Sequence, residues 1–360
     1  MTKKFNWQAL ALCLYAAQNC HAQSSVTLSG LIDAGVSYVS NEGGSGNLKF
    51  DDGIFVPNLL TLSGREDLGG GTQAVFNLTN QFVLGNGSTL PGQGIFGRTA
   101  YVGLDDNRLG RLTFGNQYDF MTDSLFGGLT DAASFTSGLY QFRNGPFDKL
   151  GLPGNPTRAF DWDRLAGERI TNSVKYQSTS FHGISVGAMY GFGNVAGSIG
   201  TGNASSFGLS YVNGAFGASA AYTLVKDATA SGQVSVRNWG VGSHYRLGTV
   251  TATALFTTVH NDANGAAVWQ AELGGLWEMN SSWSLSGAYS YMKGNSVVDD
   301  NHAHQLSAML QYLLSKRTSV YASAVYQRAT QGSTAQINAV FVPSSTPSQA
   351  IVRVGMTTRF

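Results

Sequence analysis

The side chains of this sequence that could do chemistry are histidines and carboxylates that stand in close pairs. His302 and His304 are two residues apart, so on a strand both imidazoles would project from one face and could bind a metal ion. No third ligand is evident nearby, which favours a polar pair beside a loop. The aspartate pairs at 105–106 and 299–300 lie in turn-like stretches, where aspartate is common without catalysis. We therefore predict neither a metal site nor a catalytic site.

Glycine-rich and nucleophile motifs give no stronger signal. Residues 191–196, Gly-Phe-Gly-Asn-Val-Ala, imitate a dinucleotide-binding turn, but they lead into further glycines instead of a helix. The sequence has neither the Gly-x-Ser-x-Gly elbow of hydrolases nor the His-Glu-x-x-His motif of zinc proteases. These observations predict no bound cofactor and a protein that is not an enzyme.

Residues 1–22 are predicted to be a signal peptide that is removed from the mature protein. Lys3 and Lys4 precede an apolar segment at 9–17, which is too short to span a bilayer. Both cysteines of the sequence lie within residues 1–22. The mature chain, residues 23–360, therefore has no disulfide and no cysteine-based site.

The composition is poor in charge and rich in glycine. Charged residues make up 12% of the chain, about half the usual share of roughly 25%, and 46 of 360 residues are glycine. The net charge of +1 becomes about −1 without the two lysines of the signal peptide, which gives no basic surface for nucleic acid. No apolar run of about 18 residues predicts a spanning helix. A transmembrane β-barrel fits, because each of its strands is apolar on one face only.

The clearest strand pattern is at the C-terminus. Counting back by twos from Phe360 gives an almost wholly apolar face, which consists of Thr358, Met356, Val354, Val352 and Ala350. The positions between them are mostly polar, so the two sides of this strand differ chemically. Such a strand ending on an aromatic residue is typical of the closing strand of an outer-membrane barrel. An edge strand of a soluble β-sandwich is the alternative.

Sixteen alternating segments can be counted along the chain, separated by breaks that are alternately short and long. They are residues 26–39, 56–63, 72–84, 95–104, 111–117, 168–180, 184–192, 205–212, 215–225, 234–246, 249–260, 268–279, 283–292, 302–314, 318–328 and 349–360. An even number of strands with short turns at one end and long loops at the other predicts a 16-stranded antiparallel transmembrane β-barrel. A soluble β-sandwich has only seven to nine strands, so sixteen segments argue against that alternative.

Five stretches of the sequence, together with terminal Phe360, carry a likeness to a known family. They are residues 24–35, 64–71 (Gly-Arg-Glu-Asp-Leu-Gly-Gly-Gly), 98–104, 110–118 and 172–176. These stretches resemble the general-diffusion porins of Gram-negative outer membranes, in particular the β-proteobacterial branch. The resemblance implies a passive channel for ions and small hydrophilic solutes, which forms a homotrimer within the outer-membrane lipid. It also implies that Phe360 closes the barrel and is read by the outer-membrane barrel assembly machinery.

The resemblance further implies where the pore is narrowest. In the family the third external loop folds into the barrel and sets acidic residues against arginines on the wall, forming an eyelet. The longest connection, residues 118–167, is expected to be this constriction loop. The expected loop acids are Asp119, Asp123 and Asp148. The expected residues of the basic wall are Arg98, Arg169 and Arg111.

Three departures from the family pattern predict an eyelet with fewer charges. Asn58-Leu59 replaces the usual Ser-Arg of the second strand, and Thr79 stands in place of an acid near the end of the third. Asn116 occupies a position that is often arginine. We expect a wider or less selective pore. A barrel enzyme, a substrate-specific channel and an adhesin are the alternative functions, but the sequence shows no nucleophile set, no line of luminal aromatics and only one long loop.

Overall fold

The computed structural model of the protein describes residues 24–89, 94–153, 161–167, 169–229 and 232–360. The predicted signal peptide lies outside these residues. Within them, seventeen strands form one closed antiparallel sheet, in which β1 pairs with β17. The strands are β1 (Ser25–Glu42), β2 (Ser45–Asp52), β3 (Leu59–Gly69), β4 (Thr72–Gln81), β5 (Thr99–Asp106), β6 (Gly110–Tyr118), β7 (Arg169–Gln177), β8 (Ile184–Gly191), β9 (Ala204–Asn213), β10 (Phe216–Thr229), β11 (Gly232–Leu247), β12 (Val250–Asn261), β13 (Ala267–Glu278), β14 (Trp283–Gly294), β15 (His302–Leu313), β16 (Thr318–Ala329) and β17 (Ser348–Arg359).

Two of these strands together make one strand of the barrel. β2 pairs with the second half of β1, from Ala34 to Glu42, whereas β3 pairs with the first half, from Ser25 to Leu31. The segment 53–58 interrupts them. The barrel is therefore closed by sixteen antiparallel strands, which confirms the predicted 16-stranded β-barrel.

Each strand has an exposed apolar face and a buried polar face. In β17, Val352, Val354 and Met356 are 56%, 57% and 48% exposed, whereas Ile351 and Arg353 are 1% exposed. Strands β12 to β17 have 12 residues each, about 40 Å at roughly 3.3 Å per residue. A tilt of about 45° reduces this to roughly the 30 Å of a bilayer core. The described residues include no helix that is both long and apolar enough to cross a membrane.

The apolar core lies between the connection from β6 to β7 and the buried face of the barrel. Three buried clusters pack there. Phe120, Met121 and Leu125 contact Ile170 and Met189, while Phe147, Leu150 and Trp162 contact Val236 and Met292. The third cluster joins Tyr140 to Val39, Ile54, Val325 and Ile351. The connection is thus a packed element and not a solvated tail.

Several predicted strand boundaries are wrong, and the N-terminal part of the barrel contains the largest error. The second strand was expected at 56–63 with a turn from Arg65, but β3 continues to Gly69 because Arg65 and Asp67 pair with β4. Gly70 and Gly71 make the turn with φ of 64° and 92°, a backbone conformation that favours glycine. The expected gap before 56 contains β2. β4 ends earlier than 84, and β5 begins later than 95.

Candidate pore constriction

The 118–167 loop is held against the polar face of the barrel strands by side chains that bond to its backbone. Gln305 on β15 donates to the Tyr140 carbonyl at 3.0 Å, and Ser286 on β14 donates to the Phe135 carbonyl at 2.8 Å. Asn238 on β11 donates to the Trp162 carbonyl at 3.0 Å. All three are polar residues of the face opposite to the exposed apolar one. The described parts of the loop are therefore attached to several strands.

Arg143 is the centre of a buried charge cluster that also joins the loop to β13. Its guanidinium lies 2.6 Å from Asp131 and 3.3 Å from both Asp163 and Glu272, and all four side chains are at most 1% exposed. The Arg143 backbone N–H donates to Asp161 at 2.5 Å. Four carboxyl groups thus surround one cation.

Burial, together with this excess of carboxyl groups, raises the pKa of two of the aspartates. Burial raises the pKa of Asp131 to about 7 although Arg143 opposes the shift. Burial and the neighbouring Asp163 raise the pKa of Asp161 well above its usual range. The same carboxylates raise the pKa of Arg143 despite its burial. A charged guanidinium beside a protonated Asp161 and a half-protonated Asp131 is the expected state near neutral pH.

Beside the loop lies a cavity of about 350 Å³ with a charged lining. Arg98, Arg111 and Lys175 provide the positive charges and Asp123 the negative one. The remaining lining includes hydroxyl and amide side chains, namely Thr61, Asn77, Thr79, Thr99, Tyr101, Thr113, Gln117, Tyr118 and Gln177. Such a lining can exchange hydrogen bonds with water or with a hydrated ion.

Arg98 and Arg169 approach each other around Gly167. Arg98 Nη1 donates to Gln81 at 2.6 Å, and its guanidinium lies 5.1 Å from the centre of the Tyr118 ring. A Cβ at Gly167 would lie 3.2 Å from Arg98 Nη2, and Arg169 Nη1 donates to the Gly167 carbonyl at 2.9 Å. The lack of a side chain at Gly167 is what allows this approach. Two of the expected wall arginines are therefore neighbours.

Arg111 lines the same cavity from β6. Its neighbours Leu112 and Phe114 belong to the exposed face, and Arg111 and Thr113 to the opposite one. Arg111 Nη2 forms a 2.5 Å salt bridge with Asp105 on β5. The third expected wall residue thus carries a charge that a carboxylate already balances.

Lys175 is a cavity cation that was not predicted from the sequence. Its Nζ donates to the Tyr118 carbonyl at 2.8 Å and to the carboxylate of Asp123. The side chain is only 8% exposed. Alternation within β7 places Lys175 on the same face as Ser173 and opposite Val174 and Tyr176, so the motif at 172–176 contained the signal.

The three expected loop acids lie in different surroundings. Asp123 lines the cavity beside Lys175. Asp119 is fully buried at the start of the helical turn Met121–Phe126, where its carboxylate accepts the Thr122 N–H at 3.1 Å. Asp148 begins the short 3₁₀ helix Asp148–Leu150, in which Lys149 bonds to Asp299 at 2.6 Å. Neither Asp119 nor Asp148 is among the residues that line the cavity.

The three departures from the family pattern occupy polar positions. Asn58 accepts the Asp33 N–H at 2.8 Å and also bonds to Asp52, so it belongs to the interruption between β2 and β3. Thr79 lies 3.0 Å from Thr61 at the cavity wall. Asn116 donates to the Gly97 carbonyl at 2.9 Å. Uncharged groups thus stand where the family pattern has charges.

Phe360 lies at the seam where the barrel closes. Its N–H donates to the Gly30 carbonyl at 3.1 Å, and its own carbonyl accepts the Gly30 N–H at 3.0 Å. The ring covers Gly30 so closely that a Cβ there would lie 2.0 Å from it. Beyond this pair, β1 and β17 pair from Leu31 with Arg359 to Val39 with Ile351.

A closed barrel with an exposed apolar face and a charged cavity defines a transmembrane β-barrel channel. Comparison with known sequences gives the same class: the family model described as Gram-negative porin matches residues 9–332. The chain belongs to the Gram-negative porin family. It is therefore a passive diffusion channel of the outer membrane and not an enzyme, as the sequence predicted.

Individual relatives of the chain are porins as well. An outer membrane porin protein of Bordetella pertussis is 28% identical over 89% of this chain and 93% of its own length. Outer membrane porin protein 32 of Delftia acidovorans is 28% identical over 92% of both chains. Among solved structures, an anion-selective porin from Comamonas acidovorans is similar in fold, with a TM-score of 0.78, 24% identity and coverage of 94% of this chain and 100% of its own. The β-proteobacterial branch expected from the sequence is confirmed.

The described residues contain no group of three or more histidine, cysteine or acidic side chains that could hold a metal ion.

Proposed function

We propose that the 118–167 loop folds into the barrel and narrows its lumen to an eyelet that selects solutes by size and charge. The observation that carries this proposal is the set of bonds from β11, β14 and β15 to the loop backbone, since all of them come from the strand face opposite to the exposed apolar one. The buried cluster of Arg143 supports the same placement. A loop that lies inside the barrel leaves only part of the lumen open to water.

The charges at the cavity favour anions in this proposal. Asp123 balances Lys175, and Asp105 balances Arg111. Arg98 forms no salt bridge within the described part of the chain, and its Nη1 bonds to an uncharged amide. Arg98 is then the main unbalanced charge, and rings of positive charge attract anions. The similarity in fold to an anion-selective porin agrees with this sign.

The reversal potential of single channels in a salt gradient tests the assignment. Arg98→Ala is expected to shift this potential towards cations, and Asp123→Asn to shift it towards anions, because each removes one charge from the same water-filled space. Arg317→Ala, at the exposed turn between β15 and β16, is the matched control and should leave the potential unchanged. Unchanged potentials for both cavity variants would reject this eyelet.

The other expected partners of the protein are inferred from its membership of the porin family. We infer a homotrimer embedded in outer-membrane lipid, with Phe360 recognised by the barrel assembly machinery. The exposed apolar bands on all strands support contact with lipid. Asp119 and Asp148 remain predicted residues of the eyelet. Asp123 has stronger support, because it lines the cavity.

A further inference from the structure

The chain between β2 and β3 contains more residues than the barrel wall needs. Asp52 of β2 pairs with Ala34 of β1, and Leu59 of β3 pairs with Leu31 of β1. Only two residues of β1 lie between these pairs, whereas six residues, 53–58, separate β2 from β3. Four residues are therefore in excess, and because this number is even, the alternation of inner and outer faces continues unchanged into β3. We call residues 53–58 the inward segment.

The inward segment folds towards the polar inner face of the barrel. Asp33 is fully buried on that face, and its carboxylate accepts the Ile54 N–H at 2.8 Å and the Phe55 N–H at 3.1 Å. The Phe55 ring lies 5.1 Å from the ring of Tyr321 on β16, whose hydroxyl donates to Asp33 at 2.6 Å. Arg353 on β17 donates to the same carboxylate at 3.0 Å. One buried carboxylate thus joins the segment to β1, β16 and β17.

The inward segment also contacts the tip of the 118–167 loop. The Leu139 N–H donates to the Ile54 carbonyl at 2.8 Å. Gly138 has a φ of 53°, and a Cβ at this residue would lie 2.2 Å from the same carbonyl oxygen. The lack of a side chain at Gly138 is therefore what allows the contact. Ile54 and Tyr140 belong to one buried apolar cluster, so the loop tip and the segment are packed against each other.

The charged cavity begins where the inward segment ends. Leu59, the first residue of β3, lines the cavity together with Thr79 and Arg98. Phe55 is partly exposed although its ring lies against a residue of the inner wall. Because water reaches the inner face of such a barrel only through the lumen, part of this ring borders the pore. The segment therefore takes up lumen beside the loop and leaves the side of β3 to β7 open.

We propose that the inward segment is a second constriction of the pore, which is built from the wall and sets the upper size of the solutes that pass. Asp33 is its positioning residue. The segment has the sequence Gly-Ile-Phe-Val-Pro-Asn and carries no charge, so it limits size without changing the preference for anions. This role rests on the proposed function, in which the 118–167 loop lies inside the barrel.

Deletion of residues 55–58 tests the role of the segment, because it restores a regular strand. Gly53 then stands opposite Asp33 on the inner face and Ile54 opposite Ile32 on the outer face, so no polar side chain moves into lipid. Swelling of proteoliposomes measures the uptake of uncharged sugars. The rate with the trisaccharide raffinose should rise several-fold, the rate with arabinose should rise less, and the reversal potential in a salt gradient should stay native.

Phe55→Ala is the second variant, and it keeps the backbone of the segment and its bonds to Asp33. Because only the ring is removed, the rate with raffinose should rise in the same direction but by a smaller factor. The control is a deletion of equal length, residues 196–199, in the largely exposed connection between β8 and β9. It should leave the uptake of both sugars native. Heat-modifiable mobility on gels identifies the folded barrel in each case.

Native uptake of raffinose by the folded deletion variant would overturn the second constriction. If that variant does not fold, native uptake by Phe55→Ala would overturn it. A faster uptake together with a shifted reversal potential would also overturn it, because the charged loop would then have moved. Failure of the proposed function is seen separately, since the native protein would then produce no stepwise channels.

Discussion

At the scale of single residues, the most consequential feature is the protonation of the buried carboxyl groups around Arg143 in the loop. Asp131 accepts the Ala133 N–H at 2.8 Å through one oxygen and a guanidinium N–H of Arg143 at 2.6 Å through the other. Glu272 on the barrel wall accepts the Ala132 N–H at 2.9 Å. Ionising every carboxyl group of this cluster would leave uncompensated negative charge in a buried site, which is costly.

We predict that the attachment of the loop weakens as pH rises from about 4 to about 7. The pKa of Asp131 is raised to about 7 in the attached loop, whereas an exposed aspartate titrates near 3.9. The attached state therefore holds the proton more tightly, and stability present at low pH is lost as the carboxyl ionises, at up to about 1.4 kcal/mol per pH unit. Single-channel recordings should show more conductance fluctuations at pH 8 than at pH 5.

Asp131→Asn keeps the shape of the side chain and removes its titration, so its channels should fluctuate much less at pH 8. Glu66→Gln changes an exposed acid near the end of β3 instead and should retain the native dependence on pH. Fluctuations that increase on acidification, or an Asp131→Asn channel that behaves as the native one, would contradict this explanation.

At the scale of elements, alternation predicted the strands well where one face is apolar. The terminal strand is an example, since its outward residues are the ones the sequence indicates. β2 was missed because only Leu48 and Phe50 mark its outward face among polar and glycine neighbours. The partners of the loop could not be predicted, because Glu272 and Ala132 are 140 residues apart and only the closed barrel brings them together.

Closure by β17 gives a prediction for the last residue. Deleting Phe360 removes two backbone hydrogen bonds to Gly30 and the ring that covers it. We expect the yield of folded barrel in the outer membrane to fall several-fold, as measured by heat-modifiable mobility on gels. Channels that do form should keep the native conductance, because the seam lies outside the cavity.

Phe181→Ala is the matched control, since this exposed aromatic residue lies in the turn before β8, at the same end of the barrel. It should leave the yield unchanged. Native yield after deletion of Phe360, or an equal loss in both variants, would refute a special role for the terminal residue.

At the scale of the whole molecule, sixteen strands enclose a lumen and present apolar side chains outwards. The sequence predicted this architecture, the family and the diffusion function, since all three depend on local alternation and short motifs. The lining of the charged cavity was only partly predictable. Arg98, Arg111 and Asp123 line one cavity, yet Lys175 was missed and Asp119 accepts the Thr122 N–H at the start of a helical turn. Alternation in β7 marks Lys175 as a residue of the inner face, whereas the position of Asp119 depends on how the loop packs, which strand alternation does not encode.

The most direct test of the central claim is the single-channel conductance of the purified native protein in planar bilayers. A water-filled pore predicts stable, stepwise increments in conductance that grow in proportion to the salt concentration of the bath. In a salt gradient, the reversal potential should indicate a preference for anions. A protein that inserts as a folded barrel but produces no stepwise channels would contradict the account.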